Sequence, residues 1–119
     1  PAFQVARVLP SILDPVMDIA EAIDVIWIQR GANHPVALYE VEHSTPIYSG
    51  LLRFNDIHLV LRNATLRFGI VSNDERRELF VHQLSRPTFD ASGLREICTF
   101  FEYQNVIGWH RRLQIGGGK

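Results

Sequence analysis

The sequence has a single cysteine, no long apolar run and almost no net charge. Because Cys98 has no second cysteine to pair with, an internal disulfide is excluded, and a reducing, cytoplasmic environment is expected. No apolar run approaches the ~18 residues of a membrane span. The opening residues, PAFQVARVLP, lack the basic start and apolar centre of a secretion signal. These absences predict a cytoplasmic protein without a membrane partner.

Charge and motif content exclude several further classes of site. The formal net charge of −1 gives no overall basic surface for nucleic acid, although a local basic patch is compatible with a neutral total. The histidines His34, His58, His82 and His110 are scattered without metal-ligand spacing, which argues against a zinc site. The sequence also has no glycine-rich phosphate loop and no nucleophile elbow.

The chain does contain enough apolar residues for one folded core. A length of 119 residues with 46% hydrophobic and 21% charged residues is typical of a single globular domain. We predict that this domain spans residues 1–119. Residues 1–13 would form an N-terminal arm or edge segment, and residues 115–119 a flexible tail.

Apolar spacing and turn residues divide the chain into alternating helices and strands. Residues rich in β-branched and aromatic side chains predict strands over 23–28, 36–42 and 66–71. Helical spacing predicts helices over about 15–21, 46–62 and 73–84. The predicted caps are Asp14 for the first helix, Ser44 or Thr45 for the second (with Pro46 at its first position), and Asn73 or Asp74 for the third. Residues 94–101 fit either a strand or a helical turn followed by a strand, and residues 105–113 fit a final short helix.

The lengths of the connections predict how the strands pair. The first two strands are joined by a short loop, which favours an antiparallel hairpin. A helix lies between the second and third strands, which favours a parallel crossover. The predicted fold class is therefore α/β (α+β), with a mixed central sheet flanked by helices.

Three acidic residues are predicted to meet at one end of the hairpin. A loop symmetric about Ala32 places Asp24 opposite Glu40, and Glu42 shares the face of Glu40 because strand side chains alternate. Like charges placed this way are destabilising, and an unpaired aspartate is costly to bury in an apolar strand. The pattern therefore favours a bound cation. A bulge in the loop would shift the register by one residue and rotate Asp24 away.

Oxygen ligands of this kind suit a hard divalent cation such as Mg²⁺ or Mn²⁺. Asp24, Glu40 and the backbone carbonyl of Val41 are the predicted metal ligands, and Glu42 is a further ligand or the group that orients a water molecule. Around them, the predicted contacts with a phosphate or nucleic acid are Ser44 and Thr45 at the helix start, Arg53 in the helix, and His43 beside the acids. A solvated sheet edge, in which the acids bind nothing, is the alternative interpretation.

Four sequence runs resemble a known family. The runs IDVIWI, YEVEHSTPIYSGLLRFNDI, IVSNDERRELF and RPTF together resemble an uncharacterised prokaryotic branch of the PD-(D/E)xK nuclease superfamily, which includes the restriction endonucleases. The resemblance covers roughly residues 19–101, and the SGLLR and DERR runs are its more specific parts. It implies a restriction-endonuclease-like αβββαβ core.

The resemblance also implies a function and names its residues. Asp24 takes the place of the first motif acid and Glu40 that of the second, so the implied activity is Mg²⁺-dependent hydrolysis of phosphodiester bonds in DNA. Ile23 stands where the motif has proline, and Glu42 stands where it has lysine. The resemblance further implies a homodimer, or a fused or separate DNA-reading domain. Two alternatives remain: a catalytically degenerate module that binds nucleic acid or protein, and a purely structural assembly or dimerisation domain.

Overall fold

The computed structural model describes residues 3–5, 11–29, 34–42, 46–62 and 65–105. Its strands are β1 (Phe3–Val5), β2 (Val25–Gln29), β3 (His34–Val41), β4 (Arg67–Ser72) and β5 (Cys98–Glu102). Its α-helices are α1 (Met17–Ala20), α2 (Ile47–Val60), α3 (Arg77–Leu84) and α4 (Pro87–Ser92), and 3₁₀ turns cover Ser11–Val16, Asp74–Arg76 and Leu94–Glu96. None of these helices is long and apolar enough to cross a membrane.

The strands form one mixed sheet in the order β1-β2-β3-β4-β5. β1, β2 and β3 are antiparallel neighbours, whereas β3, β4 and β5 run parallel. The change of direction at β3 follows from chain length, since β2 and β3 are joined by a short loop and β3 and β4 by the whole of α2. The predicted mixed sheet is thus confirmed, as is the α+β class.

The main core lies between one face of the sheet and the helices, and α2 is at its centre. Because apolar residues recur along α2 at helical spacing, one side of the helix is buried, and Leu51, Phe54 and Ile57 have no exposed surface. Phe54 packs on Phe68 of β4 with 4.8 Å between ring centroids. Cys98 of β5 also belongs to this core, because this residue is 7% exposed.

The opposite face of the sheet carries a row of aromatic rings. Tyr39 of β3 packs edge-on against Trp27 of β2 and Phe101 of β5, with centroid distances of 5.5 and 5.7 Å. Phe101 lies two strands away from Tyr39, and Gly69 of β4 lies between them. A Cβ atom on Gly69 would be 2.6 Å from a ring carbon of Tyr39, so only glycine allows the two rings to meet.

The hairpin register contains a compensated irregularity. Near the loop, Gln29 pairs with His34 rather than with Pro35, so the predicted symmetric loop is wrong by one residue. The register then shifts between Trp27 and Ile28, because β3 contains one residue more than β2 at this point. Beyond the shift, Val25 pairs with Tyr39, which is the predicted register and keeps Asp24 beside Glu40.

Two helix starts differ from the sequence predictions. Pro46 is the N-cap of α2, with φ −62° and ψ 126°, rather than its first residue, and the predicted caps Ser44 and Thr45 lie outside the described residues. The first helical segment begins at Ser11 as a 3₁₀ turn, so Asp14 does not cap it. Burial of Leu13, which has no exposed surface, draws this earlier stretch into the core.

The second half of the chain follows the sequence pattern more closely. α3 ends at Leu84 as predicted, but Pro87 also begins α4 at its first position, which is a favourable site for proline. Residues 94–101 form a 3₁₀ turn followed by a strand, which confirms one of the two alternatives. Most of the predicted final helix over 105–113 lies outside the described residues.

Candidate functional site

Two buried glutamates lie at the carboxyl end of β3. Glu40 and Glu42 alternate with the outward-facing Val41, so both side chains point towards α2, and they are only 1% and 3% exposed. The Glu42 N–H donates to the carbonyl of Val71 at 2.8 Å, which continues the parallel pairing with β4 just beyond the last residue of β3. The sheet thus fixes the backbone of both acids.

A glycine in α2 makes room for the two carboxylates. A Cβ atom on Gly50 would lie 3.1 Å from Glu42 Oε1 and 3.2 Å from Glu40 Oε2, closer than most side-chain contacts allow. Both oxygens therefore converge on the same point beside the helix. Glycine inside a helix costs roughly 1 kcal/mol relative to alanine, and the close approach of these oxygens accounts for its presence.

Arg53, one helical turn beyond Gly50, is the cation beside this pair. Its Nε donates to Glu40 Oε2 at 2.8 Å, and its Nη2 donates to the same oxygen. Nη2 also lies 3.6 Å from Glu42 Oε1. The arginine side chain is 33% exposed, whereas the side chains of its two partners are 2% and 4% exposed. The guanidinium thus reaches from the surface into the carboxylate pair.

Asp24 approaches the pair from β2 but has a different environment. It is exposed, and its Oδ2 accepts a hydrogen bond from the Val41 N–H at 2.7 Å. In return, the Asp24 backbone hydrogen-bonds to the Glu40 carboxylate. The prediction of a buried aspartate was wrong: Asp24 precedes the first residue of β2, where solvent reaches its carboxylate.

The electrostatics of the two glutamates differ. Burial raises the pKa of both, but the Glu40 carboxylate is stabilised in its charged form by Arg53 and by the Asp24 backbone. For Glu42, burial and the neighbouring charge of Glu40 together raise the pKa to about 7, against an ordinary value of 4.5. The more distant Arg53 and Arg76 offset this only in part. Ionising Glu42 next to Glu40 is therefore unfavourable, and its carboxyl group holds its proton to a higher pH than it would in water.

Three donors from later parts of the chain converge on the backbone carbonyl of Glu42. Ser72 Oγ donates at 2.5 Å, Arg76 Nη1 at 3.2 Å and the Tyr103 hydroxyl at 3.3 Å. They come from the end of β4, from the following 3₁₀ turn and from the residue after β5. These hydrogen bonds hold the backbone of Glu42 at the end of β3.

The predicted site residues are thus brought together in part. Glu40, Glu42 and Arg53 converge, Asp24 lies beside them, and Val41 contributes its N–H to Asp24. The predicted metal-ligand role of the Val41 carbonyl stays a prediction.

Three of the predicted site residues, His43, Ser44 and Thr45, lie outside the described residues. Among the described side chains, no group of three or more histidine, cysteine, aspartate or glutamate residues is arranged to hold a metal ion.

The two buried carboxylates nevertheless suit a hard cation. Mg²⁺ is commonly held by one or two carboxylates, with water and phosphate completing its shell. All the donor atoms here are oxygens, and the two carboxylates converge on one point beside Gly50. The residues present therefore fit Mg²⁺ or Mn²⁺ held by Glu40 and Glu42. The carboxylate of Asp24 lies at the exposed edge of the same site.

Sequence reasoning missed several residues that support this site. A glycine inside the apolar pattern of a helix signals close approach of another group, so the position of Gly50 was a usable signal. Ser72 and Tyr103 carried no such signal, because their contact with the Glu42 carbonyl depends on the parallel pairing of β3, β4 and β5.

Comparisons with known proteins agree with a restriction-enzyme origin. Residues 6–113 match the family model described as the Type II restriction enzyme NmeDI C-terminal domain. The chain belongs to this family. Over 82 residues it is 38% identical to the Type II restriction enzyme NmeDI of Neisseria meningitidis serogroup C. That alignment covers 68% of this chain but 23% of the relative, so the chain spans a minor part of the NmeDI length. No solved structure matches the chain.

Membership of the NmeDI C-terminal domain family confirms that the resemblance pointed to restriction enzymes. The finer assignment to the PD-(D/E)xK superfamily, and with it the role of each motif acid, stays a prediction.

Proposed function

We propose that this domain is a divalent-metal-dependent nuclease that hydrolyses phosphodiester bonds in DNA. The observation that carries the proposal is the pair of buried glutamates at the end of β3, whose carboxylate oxygens converge beside Gly50 of α2. Two ionised carboxylates held this close repel each other. A cation bound between them would therefore stabilise both charges.

Each residue of the site then has a defined role. Glu40 and Glu42 would hold Mg²⁺ or Mn²⁺, and Asp24 would complete the set from β2. Bound there, the metal would neutralise charge on the phosphate and make a water molecule more acidic. Glu42 lies beside Glu40, so its carboxylate oxygen would orient the attacking water and accept its proton. This assigns to Glu42 the task of the lysine that the resembling motif carries.

DNA is the proposed substrate because the family is that of a restriction enzyme. Nothing in the net charge of −1 indicates a wide basic surface. We therefore expect sequence choice to come from elsewhere, either from a second copy of the chain or from a DNA-reading segment in longer relatives.

A second candidate function is a catalytically degenerate module that binds nucleic acid or protein. Two observations favour it: glutamate replaces the motif lysine at position 42, and Glu40 already has a cation partner in Arg53. This module would keep the fold and the ion pair without needing a metal.

Metal titration separates the two functions. In the nuclease, Mn²⁺ binds saturably, and Glu40→Gln removes a ligand, so it should weaken binding by at least the about 10- to 100-fold that loss of a residue supporting a ligand costs. Asp24→Asn weakens it less, because Asp24 lies at the exposed edge of the site. Binding is followed by calorimetry or by the electron paramagnetic resonance of free Mn²⁺, and cleavage by conversion of supercoiled plasmid in Mg²⁺.

Glu75→Gln is the matched control, because Glu75 is an exposed glutamate in the 3₁₀ turn before α3. It should bind Mn²⁺ as the unaltered chain does. Saturable Mn²⁺ binding without cleavage of plasmid or single-stranded DNA would favour the degenerate module. Absence of any saturable binding would reject the metal site itself.

A further inference from the structure

Arg53 uses the same carboxylate oxygen that a metal ion would need. Its Nε and Nη2 both donate to Glu40 Oε2. A carboxylate oxygen has about two acceptor positions, so this arginine fills both of them. A cation cannot bind that oxygen unless the guanidinium gives up at least one of its hydrogen bonds.

The guanidinium also stands between the two carboxylates rather than to one side. Nη2 lies 3.6 Å from Glu42 Oε1 while it donates to Glu40. A divalent cation held by both glutamates would therefore be in direct electrostatic repulsion with the guanidinium. At such separations inside a protein, repulsion between charges is strong, because the surrounding dielectric screens it poorly.

Among the three side chains, Arg53 is the one with freedom to leave. It extends from the exposed side of α2 and is 33% exposed, whereas the carboxylates are almost fully buried. The Glu40 carboxylate is held by the Asp24 backbone, and the Glu42 side chain is buried on a backbone that Ser72 holds at its carbonyl. Rotation of a long arginine side chain into solvent requires no movement of either strand.

We propose that Arg53 is a metal-displaced latch: it occupies the glutamate pair when no divalent cation is bound, and a cation releases its guanidinium to bind a backbone phosphate of the DNA. This inference rests on the proposed metal-dependent function. A guanidinium suits the second position because its planar donors match two phosphate oxygens at once. Arg53 would thereby couple substrate binding to metal binding.

The latch makes a prediction that is opposite to that of a purely structural ion pair. If Arg53 competes with the metal, Arg53→Met binds Mn²⁺ more tightly than the unaltered chain, by about tenfold. Arg53→Lys keeps the positive charge but cannot donate twice to Glu40. Its Mn²⁺ affinity should lie between those of the unaltered chain and Arg53→Met. If Arg53 only holds Glu40 in place, Arg53→Met binds Mn²⁺ equally or more weakly, which would overturn the latch. Arg67→Met is the matched control, since Arg67 is exposed and lies at the other end of β4.

A second measurement does not depend on any variant folding. In the unaltered chain, the Nε–H resonance of Arg53 should be protected without metal and should move on titration with diamagnetic Mg²⁺. An Nε–H resonance that stays unchanged at saturating Mg²⁺ would reject the latch. With Mg²⁺ replaced by Ca²⁺, Arg53→Met should also weaken binding of a short DNA duplex, and equal duplex binding would reject the phosphate contact.

The outcomes also distinguish this inference from the proposed function. Equal or weaker Mn²⁺ binding by Arg53→Met leaves the metal site in place and removes the latch. Binding by Arg53→Met but not by the unaltered chain would overturn the latch, because a cation would then not release Arg53. Absence of binding in every variant rejects the metal site and the latch together.

Discussion

The unusual pKa of Glu42 makes the stability of this domain depend on pH in a direction opposite to that of most carboxylates. Its carboxyl group has a pKa of about 7 in the folded chain, against an ordinary value of 4.5. Between these two values the folded state binds more protons than the unfolded state. The free energy of unfolding must therefore fall as the pH rises from about 4.5 to about 7, and then level off.

The size of this fall follows from the interval between the two pKa values. Each pH unit is worth about 1.4 kcal/mol for one group. Glu42 is 3% exposed, so the full effect is expected. Its ionisation should make the free energy of unfolding about 3 kcal/mol lower at pH 8 than at pH 4.5. Burial also raises the pKa of Glu40, so this second group acts in the same direction.

Urea unfolding without divalent metal, followed by tryptophan fluorescence, measures this effect. The free energy of unfolding of the unaltered chain and of Glu42→Gln is compared between about pH 5 and pH 8. Glutamine has the same shape and does not titrate. The free energy of unfolding of Glu42→Gln should therefore increase relative to that of the unaltered chain as the pH rises. The control Glu75→Gln should run parallel to the unaltered chain. Parallel curves for Glu42→Gln as well would show that Glu42 is ionised normally, and would refute the repulsion between the two glutamates on which the metal proposal rests.

Two further substitutions test other parts of the structure. Gly69→Ala places a Cβ atom 2.6 Å from the Tyr39 ring, so it should lower the free energy of unfolding by about 1–3 kcal/mol in urea titration; a neutral or stabilising result would show that the ring packing is wrong. Ser72→Ala removes one of three donors from the Glu42 carbonyl, so it should cost only about 1 kcal/mol. A loss much greater than that would mean that Arg76 and Tyr103 do not replace the lost hydrogen bond.

The sheet topology could be predicted from the sequence because it depends on local signals. Strand composition, loop length and the apolar side of α2 together give an antiparallel hairpin followed by a parallel crossover. The hairpin register was predicted correctly at Asp24 although the assumed loop was wrong. The extra residue in β3 restored the register that the loop had shifted, and no sequence pattern distinguishes such a compensated shift from a regular hairpin.

The details of the site were harder to predict, for physical reasons. On a helical projection, Arg53 belongs to a polar side of α2, away from the core. Its long side chain nevertheless reaches back to Glu40, since arginine can lay its stem along the protein and place its charge several ångströms from its own Cα atom. The exposure of Asp24 was missed because the apolar residues after it suggested that the strand began earlier than it does.

The hydrogen bonds on the Glu42 carbonyl have a consequence for the order in which the site can be completed. The donors belong to residues 72, 76 and 103, whereas both glutamates and the arginine are present in the chain by residue 53. During synthesis the acids therefore emerge well before the segments that hold the strand end in place. The strand end therefore cannot have its Tyr103 donor before residue 103 has been added to the chain.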